Sequence, residues 1–167
     1  MRFSKIKDND VVNGIGITMS LWTQGCPHHC KGCFNQETWS YEDGEEFINS
    51  HKQYIIENID KNNVKRDLSI LGGEPLCPQN IDKVIELCKE FKEIYPQKKI
   101  YIWSGYEIDK FTEKQREVLK YIDILIDGQF EQQERNISLK LRGSNNQRII
   151  DISQTIKNNK IIQFNIE

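Results

Sequence analysis

A chain of 167 residues is long enough to fill one domain and short for two. With 37% hydrophobic and 29% charged residues it is polar but globular, which excludes a disordered chain. A formal net charge of −2 excludes a general electrostatic pull toward nucleic acid or an anionic membrane. With no apolar run that could span a bilayer and no signal peptide, a cytoplasmic location is expected.

Ile15, Ile17, Met19 and Leu21 alternate with Gly16, Thr18, Ser20 and Trp22. That period of two predicts a half-buried strand leading into a cysteine-rich loop. Over residues 45–59, Phe47, Ile48, Tyr54, Ile55 and Ile59 recur at helical spacing. Residues 68–71 predict a short strand, stopped by Gly72 and Gly73. From Ile81, the positions Val84, Ile85, Cys88 and Phe91 mark one face of a second helix, with Pro96 just past its end. Residues 99–103 predict a third strand. Thr112 and Gln115 have the spacing of a capping box for a third helix that runs to Tyr121. Residues 124–126 predict a fourth strand, closed by Asp127 and Gly128. The tail from Ile137 is irregular, although Ile162, Phe164 and Ile166 alternate and predict a last strand over 160–166.

Strands alternating with helices imply βαβ units and a parallel α/β sheet. A closed eight-stranded barrel needs roughly 250 residues, so an open, partial (β/α) barrel in a single domain spanning 1–167 is expected. Ligands of parallel sheets gather at the C-terminal strand ends. Four candidate segments fall at such ends: the cysteine loop, GGEP (72–75), SGY (104–106) and DGQF (127–130).

Cys26, Cys30 and Cys33 place three thiols within eight residues in the spacing C-x3-C-x2-C. Thiolates are soft ligands that select zinc, copper(I) or iron–sulfur clusters. Three thiolates on a four-iron cluster leave one iron open to a small molecule. Zinc is the rival reading, with His28 or His29 as a fourth ligand and a zinc-binding interaction module as the function. Zinc sites, however, pair two close ligands with a distant second pair, and no second pair follows here. His28 and His29 read as loop residues and His51 as structural or exposed. Cys77 and Cys88 read as small buried side chains, and five cysteines in such a chain do not suggest a disulfide framework.

The cysteine spacing followed by Phe34 resembles the signature of radical S-adenosylmethionine enzymes. The longer run GCPHHCKGCFNQETW (25–39) resembles the activating enzymes of anaerobic, class III ribonucleotide reductases, as do LGGEP (71–75), WSGY (103–106), IDGQF (126–130) and LRGSNNQR (141–148). The resemblance implies a partial barrel of the radical S-adenosylmethionine type. It implies that Cys26, Cys30 and Cys33 bind a 4Fe–4S cluster whose open iron chelates S-adenosylmethionine. It places Gly72, Gly73 and Glu74 at the methionyl amino group, and Gly32, Cys33 and Phe34 at the adenosyl part. Ser104 and Asp127 either line the cofactor pocket or are ordinary strand-end residues. The implied reaction reduces the cluster from an external donor such as flavodoxin and forms a 5′-deoxyadenosyl radical. That radical generates a glycyl radical on the large reductase subunit. The activator of another glycyl radical enzyme, or another small radical S-adenosylmethionine enzyme, is the alternative. One departure is visible: Leu141 stands where members of this family often carry Trp, so the chain lacks an aromatic side chain at this point.

Overall fold

The computed structural model describes residues 1–166. Its strands are β1 (Arg2–Asp10), β2 (Thr18–Gln24), β3 (Glu45–Glu46), β4 (Asp67–Gly72), β5 (Ile100–Ser104), β6 (Ile124–Asp127) and β7 (Arg148–Asp151). The α-helices are α1 (Asn49–Asn58), α2 (Ile81–Ile94), α3 (Glu113–Val118) and α4 (Ile152–Asn158). The strands form one open sheet in the order β3-β1-β2-β4-β5-β6-β7. The central strands β2, β4, β5 and β6 are parallel, while β1, β3 and β7 pair antiparallel.

Strand alternation divides the sheet into two faces. One row crosses it in register as Leu21, Ile70, Ile102, Leu125 and Ile150. These side chains belong to the main core cluster, which also takes Ile55 and Ile56 of α1, Val84, Leu87 and Phe91 of α2, Val118 of α3 and Ile152 of α4. All four helices therefore pack on the same face. On the other face Tyr101, Ile124, Ile126 and Ile149 form a smaller cluster with Trp103, Leu141, Phe164 and Ile166. No α-helix among the described residues packs on that side, which leaves room for a cavity. Among the described residues, no helix is long and apolar enough to cross a membrane.

The helical stripe of α2 forms as expected, with Ile81, Val84, Ile85, Cys88 and Phe91 all buried. The predicted capping box at α3 also forms: Gln115 N–H donates to Thr112 Oγ1 and Thr112 N–H donates to Gln115 Oε1. The helix ends at Val118, short of Tyr121.

Several boundaries differ from expectation. The first predicted strand begins only at Thr18, because Gly14 (φ +149°) and Gly16 (φ +78°) turn the chain away and leave Ile15 and Ile17 exposed. The first helix starts at Asn49, since Glu45 and Glu46 pair with Arg2 and Phe3. His51 Nδ1 accepts from the Ile48 N–H at its start. The sheet is mixed and not wholly parallel, because β1 returns to β2 through the short turn 11–17 and β6 returns to β7 through the long loop 128–147, neither by a helical crossover. Residues 160–166 run beside β7, with Phe164 N–H donating to Ile149 O and one bridge at Gln163, but form no strand.

Candidate functional site

The four strand-end loops meet on the helix-free face. Gly25, at φ +91°, ends β2 and starts the cysteine loop. The loop folds back on itself: Gly25 N–H donates to Thr38 O at 2.8 Å and Cys26 N–H to Trp39 O at 3.1 Å. Within it, Cys33 N–H donates to Cys30 O at 3.0 Å, and Gly32 takes φ +75°. The Asn35 N–H points at Cys33 Sγ, 3.4 Å away. His29 stacks on Trp39 with ring centroids 4.6 Å apart and is exposed.

Cys26, Cys30 and Cys33 line one cavity of about 510 Å³, within the range of small-molecule sites. Gly72, Gly73 and Glu74 form part of its wall, with Phe34 and Ser104 at other points. Gly128, Gln129, Phe130, Arg142, Gly143 and Gln147 also line it. Gly32 and Asp127 are not among the lining residues. Burial pushes the Cys26 thiol up to about 11, against backbone N–H groups of His28 and His29 and with the Glu74 charge adding to the rise. Burial raises the Cys30 thiol as well. Binding of a cation at these sulfurs displaces their protons.

Glu74 is 1% exposed, and its carboxylate accepts four hydrogen bonds. Oε1 takes the Leu76 N–H and the Ser104 hydroxyl, both at 2.9 Å. Oε2 takes the Gly105 N–H at 2.7 Å and faces His28 Nε2 at 2.8 Å. The other His28 nitrogen, Nδ1, lies 3.0 Å from Gln129 Nε2. A carboxylate only accepts, so the histidine proton sits on Nε2 and Nδ1 accepts from the glutamine amide. Both ring nitrogens are thus engaged, and His28 is not free to be the fourth ligand of a Cys3His zinc site.

A family model described as a 4Fe-4S single cluster domain matches residues 12–150. Curated relatives cover most of the chain. The anaerobic ribonucleoside-triphosphate reductase-activating protein of Haemophilus influenzae is 40% identical over 148 residues, 88% of this chain and 96% of the relative. That of Escherichia coli K12 is 36% identical over the same shares. That of Enterobacteria phage T4 is 36% identical over 151 residues, 89% of this chain and 93% of the relative. The chain belongs to the family of anaerobic ribonucleoside-triphosphate reductase-activating proteins.

The residues present fit the iron–sulfur cluster of this family. The free donors at the cavity wall are sulfur, while the nearby imidazole and carboxylate are engaged by protein groups. Among the described residues, no three His, Cys, Asp or Glu side chains group so as to hold a single metal ion. A cluster asks for a different arrangement, one thiolate per iron around a shared cavity. Gly73 brings backbone to the wall: a Cβ there would lie 2.5 Å from Gly25 O and 2.9 Å from Thr38 O, so the GGEP turn and the cysteine loop touch through this glycine.

Other segments that this reductase-activating chain shares with the sequence expectation have structural partners. Ser104 lines the cavity, yet its hydroxyl bonds Glu74. Asp127 is fully buried and holds Arg148 through two contacts, Nε to Oδ1 at 2.9 Å and Nη2 to Oδ2 at 2.6 Å. It also accepts from the Ile108 N–H at 2.8 Å. The polar cluster 142–148 folds on itself around Gln147, whose Oε1 accepts from Gly143 and Ser144 N–H groups while its Nε2 donates to Gly128 O. Leu141 occupies the position of the missing Trp; its carbonyl accepts from Trp103 Nε1 at 2.6 Å. From the sequence, His28 reads only as a zinc ligand or a loop residue, and neither Gln129 nor Phe130 is singled out. Phe130 meets Phe34 edge to face at 5.2 Å. Only the quoted DGQF run hinted at the last two.

Proposed function

We propose that this chain activates the large subunit of an anaerobic ribonucleotide reductase by placing a glycyl radical on it. The observation that carries the reading is the convergence of Cys26, Cys30, Cys33 and the Gly72–Gly73 turn on one cavity, in a chain of this family. The three thiolates hold a 4Fe–4S cluster. When bound, the cluster and S-adenosylmethionine supply one-electron chemistry that ends with a hydrogen atom removed from a glycine Cα of the partner. The protein's own part is placement. The backbone of Gly72 and Gly73 receives the methionyl end, where the absence of side chains permits close approach. Phe34, supported by Phe130, borders the adenosyl part, and the φ +75° turn at Gly32 sets the direction of the loop between them. Glu74 and Ser104 brace the wall through their hydrogen bond to each other, and Asp127 fixes the β6 loop through Arg148. The sheet curls as an open partial barrel in a single domain, 1–167, which leaves the helix-free face for a protein substrate. An external donor of the flavodoxin type delivers the electron in the cytoplasm.

The test is cofactor cleavage. After anaerobic reconstitution, the protein with a strong one-electron reductant converts S-adenosylmethionine to methionine and 5′-deoxyadenosine, and it does not do so without the reductant. Equal cleavage in the absence of any electron source contradicts the reading.

A further inference from the structure

The cysteine loop reaches the opposite wall of the cavity through a side chain. His28 sits between Cys26 and Cys30, and its ring leaves the loop to meet two other strand ends. Nε2 reaches the Glu74 carboxylate at 2.8 Å, after β4. Nδ1 reaches the Gln129 amide at 3.0 Å, after β6. Glu74 in turn holds the β5 end through Ser104 Oγ and the Gly105 N–H. The ring also lies edge-on to Tyr106, with centroids 4.6 Å apart. Any Cβ on Gly105 would run into this imidazole, so the β5 turn is shaped around it. Four loops from four parallel strands thus join through one histidine and one buried carboxylate.

We infer that His28 and Glu74 are a positioning pair: their contact fixes the loop that carries the three thiols relative to the β4, β5 and β6 ends that form the rest of the cavity wall. The inference rests on the proposed use of that wall by S-adenosylmethionine. It assigns Glu74 a role different from direct cofactor contact, because four protein donors already occupy its carboxylate. It also separates two functions within the cysteine loop. The thiols hold the cluster, and the histidine sets where the cluster stands against the cofactor. Residues that orient a metal site from outside its ligand set carry effects of about 10-fold or more on binding.

The experiment uses reconstituted, dithionite-reduced full-length protein and reads two quantities: iron content, and the change in the cluster's electron paramagnetic resonance spectrum as S-adenosylmethionine is added. His28→Ala is expected to load wild-type iron but to need about 10-fold more S-adenosylmethionine for half of the spectral change. His28→Gln, whose amide N–H can still donate to Glu74, is expected to recover most of that loss. Gln129→Ala, which cuts only the Nδ1 contact, is expected to shift the midpoint in the same direction. Wild-type midpoints in His28→Ala and Gln129→Ala overturn the inference. So does loss of iron in His28→Ala and His28→Gln alike, since the histidine would then serve the cluster itself. A wild-type protein whose spectrum ignores S-adenosylmethionine overturns the underlying functional reading instead, and the pair loses its purpose with it.

Discussion

Cys77 and Cys88 carry the same side chain as the three cavity cysteines but none of their setting. Both are fully buried, and Cys88 packs in the main core against the helices. Single replacement of Cys26, Cys30 or Cys33 by Ala is expected to abolish stable four-iron binding, while Cys77→Ala and Cys88→Ala keep it. Iron and sulfide analysis after anaerobic reconstitution checks this, and full iron in all three loop variants would remove the cluster assignment. Gly73 is a second single-residue case. Because its missing Cβ faces the carbonyls of Gly25 and Thr38, Gly73→Ala is expected to displace the cysteine loop and destabilise the fold by about 1–3 kcal/mol, the scale of overpacking. A denaturation midpoint equal to wild type would show that the loop yields freely. The thiols were legible in the sequence because three soft ligands at such spacing leave few readings. The role of Glu74 was not. Its four donors come from positions 28, 76, 104 and 105, and only the folded chain brings the three distant ones together.

At the scale of elements, two ties hold the ends of the sheet. Asp10 closes β1 and anchors the turn that follows: its carboxylate accepts from Ser20 Oγ at 2.8 Å, Asn13 Nδ2 at 2.8 Å and the Val12 N–H at 3.0 Å. Burial alone would raise its pKa, but these hydrogen bonds outweigh it and hold the group at about 2, below the ordinary 3.8. A depressed carboxylate stabilises above the unfolded value and loses that stabilisation as pH falls through the folded one. The tie therefore contributes about 2 kcal/mol at neutral pH, lost between roughly pH 4 and pH 2. Asp10→Asn is expected to cost about that much at pH 7 and to flatten the acid limb of stability over the same window. Denaturant titrations at several pH values measure both; an unchanged acid limb would contradict the assignment. At the other end, Arg148→Ala leaves Asp127 buried without its partner and is expected to cost about 3–5 kcal/mol. A loss below about 1 kcal/mol, the value of an exposed ion pair, would mean that Asp127 is not held as described.

The elements themselves were legible to different degrees for physical reasons. Strands β4, β5 and β6 are short, almost wholly buried runs, and β2 alternates Met19 and Leu21 with polar neighbours, so all four stand out. Helix α2 announces itself by its buried stripe. Strand β1 reads RFSKIKDND, in which Lys5 and Lys7 are exposed and Phe3 is the one buried apolar side chain, so no apolar run marks it. Strand β7 and helix α4 begin within and just after a polar cluster, where Arg148 and Asp151 mask the short apolar pair Ile149–Ile150.

For the whole molecule, the decisive feature is asymmetry. Four helices cover one face of the sheet, and the other face holds the cavity, with Val12, Phe34 and Ile137 at its lining and exposed to solvent. A small-molecule enzyme would close such a mouth with added loops. A protein substrate can bring a glycine-bearing segment to complete the wall. The measurement that tests this most directly is electron paramagnetic resonance on a mixture of the reduced protein, S-adenosylmethionine and the large anaerobic reductase subunit. The account predicts a glycyl doublet that disappears when the subunit's radical glycine is changed to alanine. No doublet on the cognate subunit, with one formed on a different glycyl radical enzyme, would contradict it.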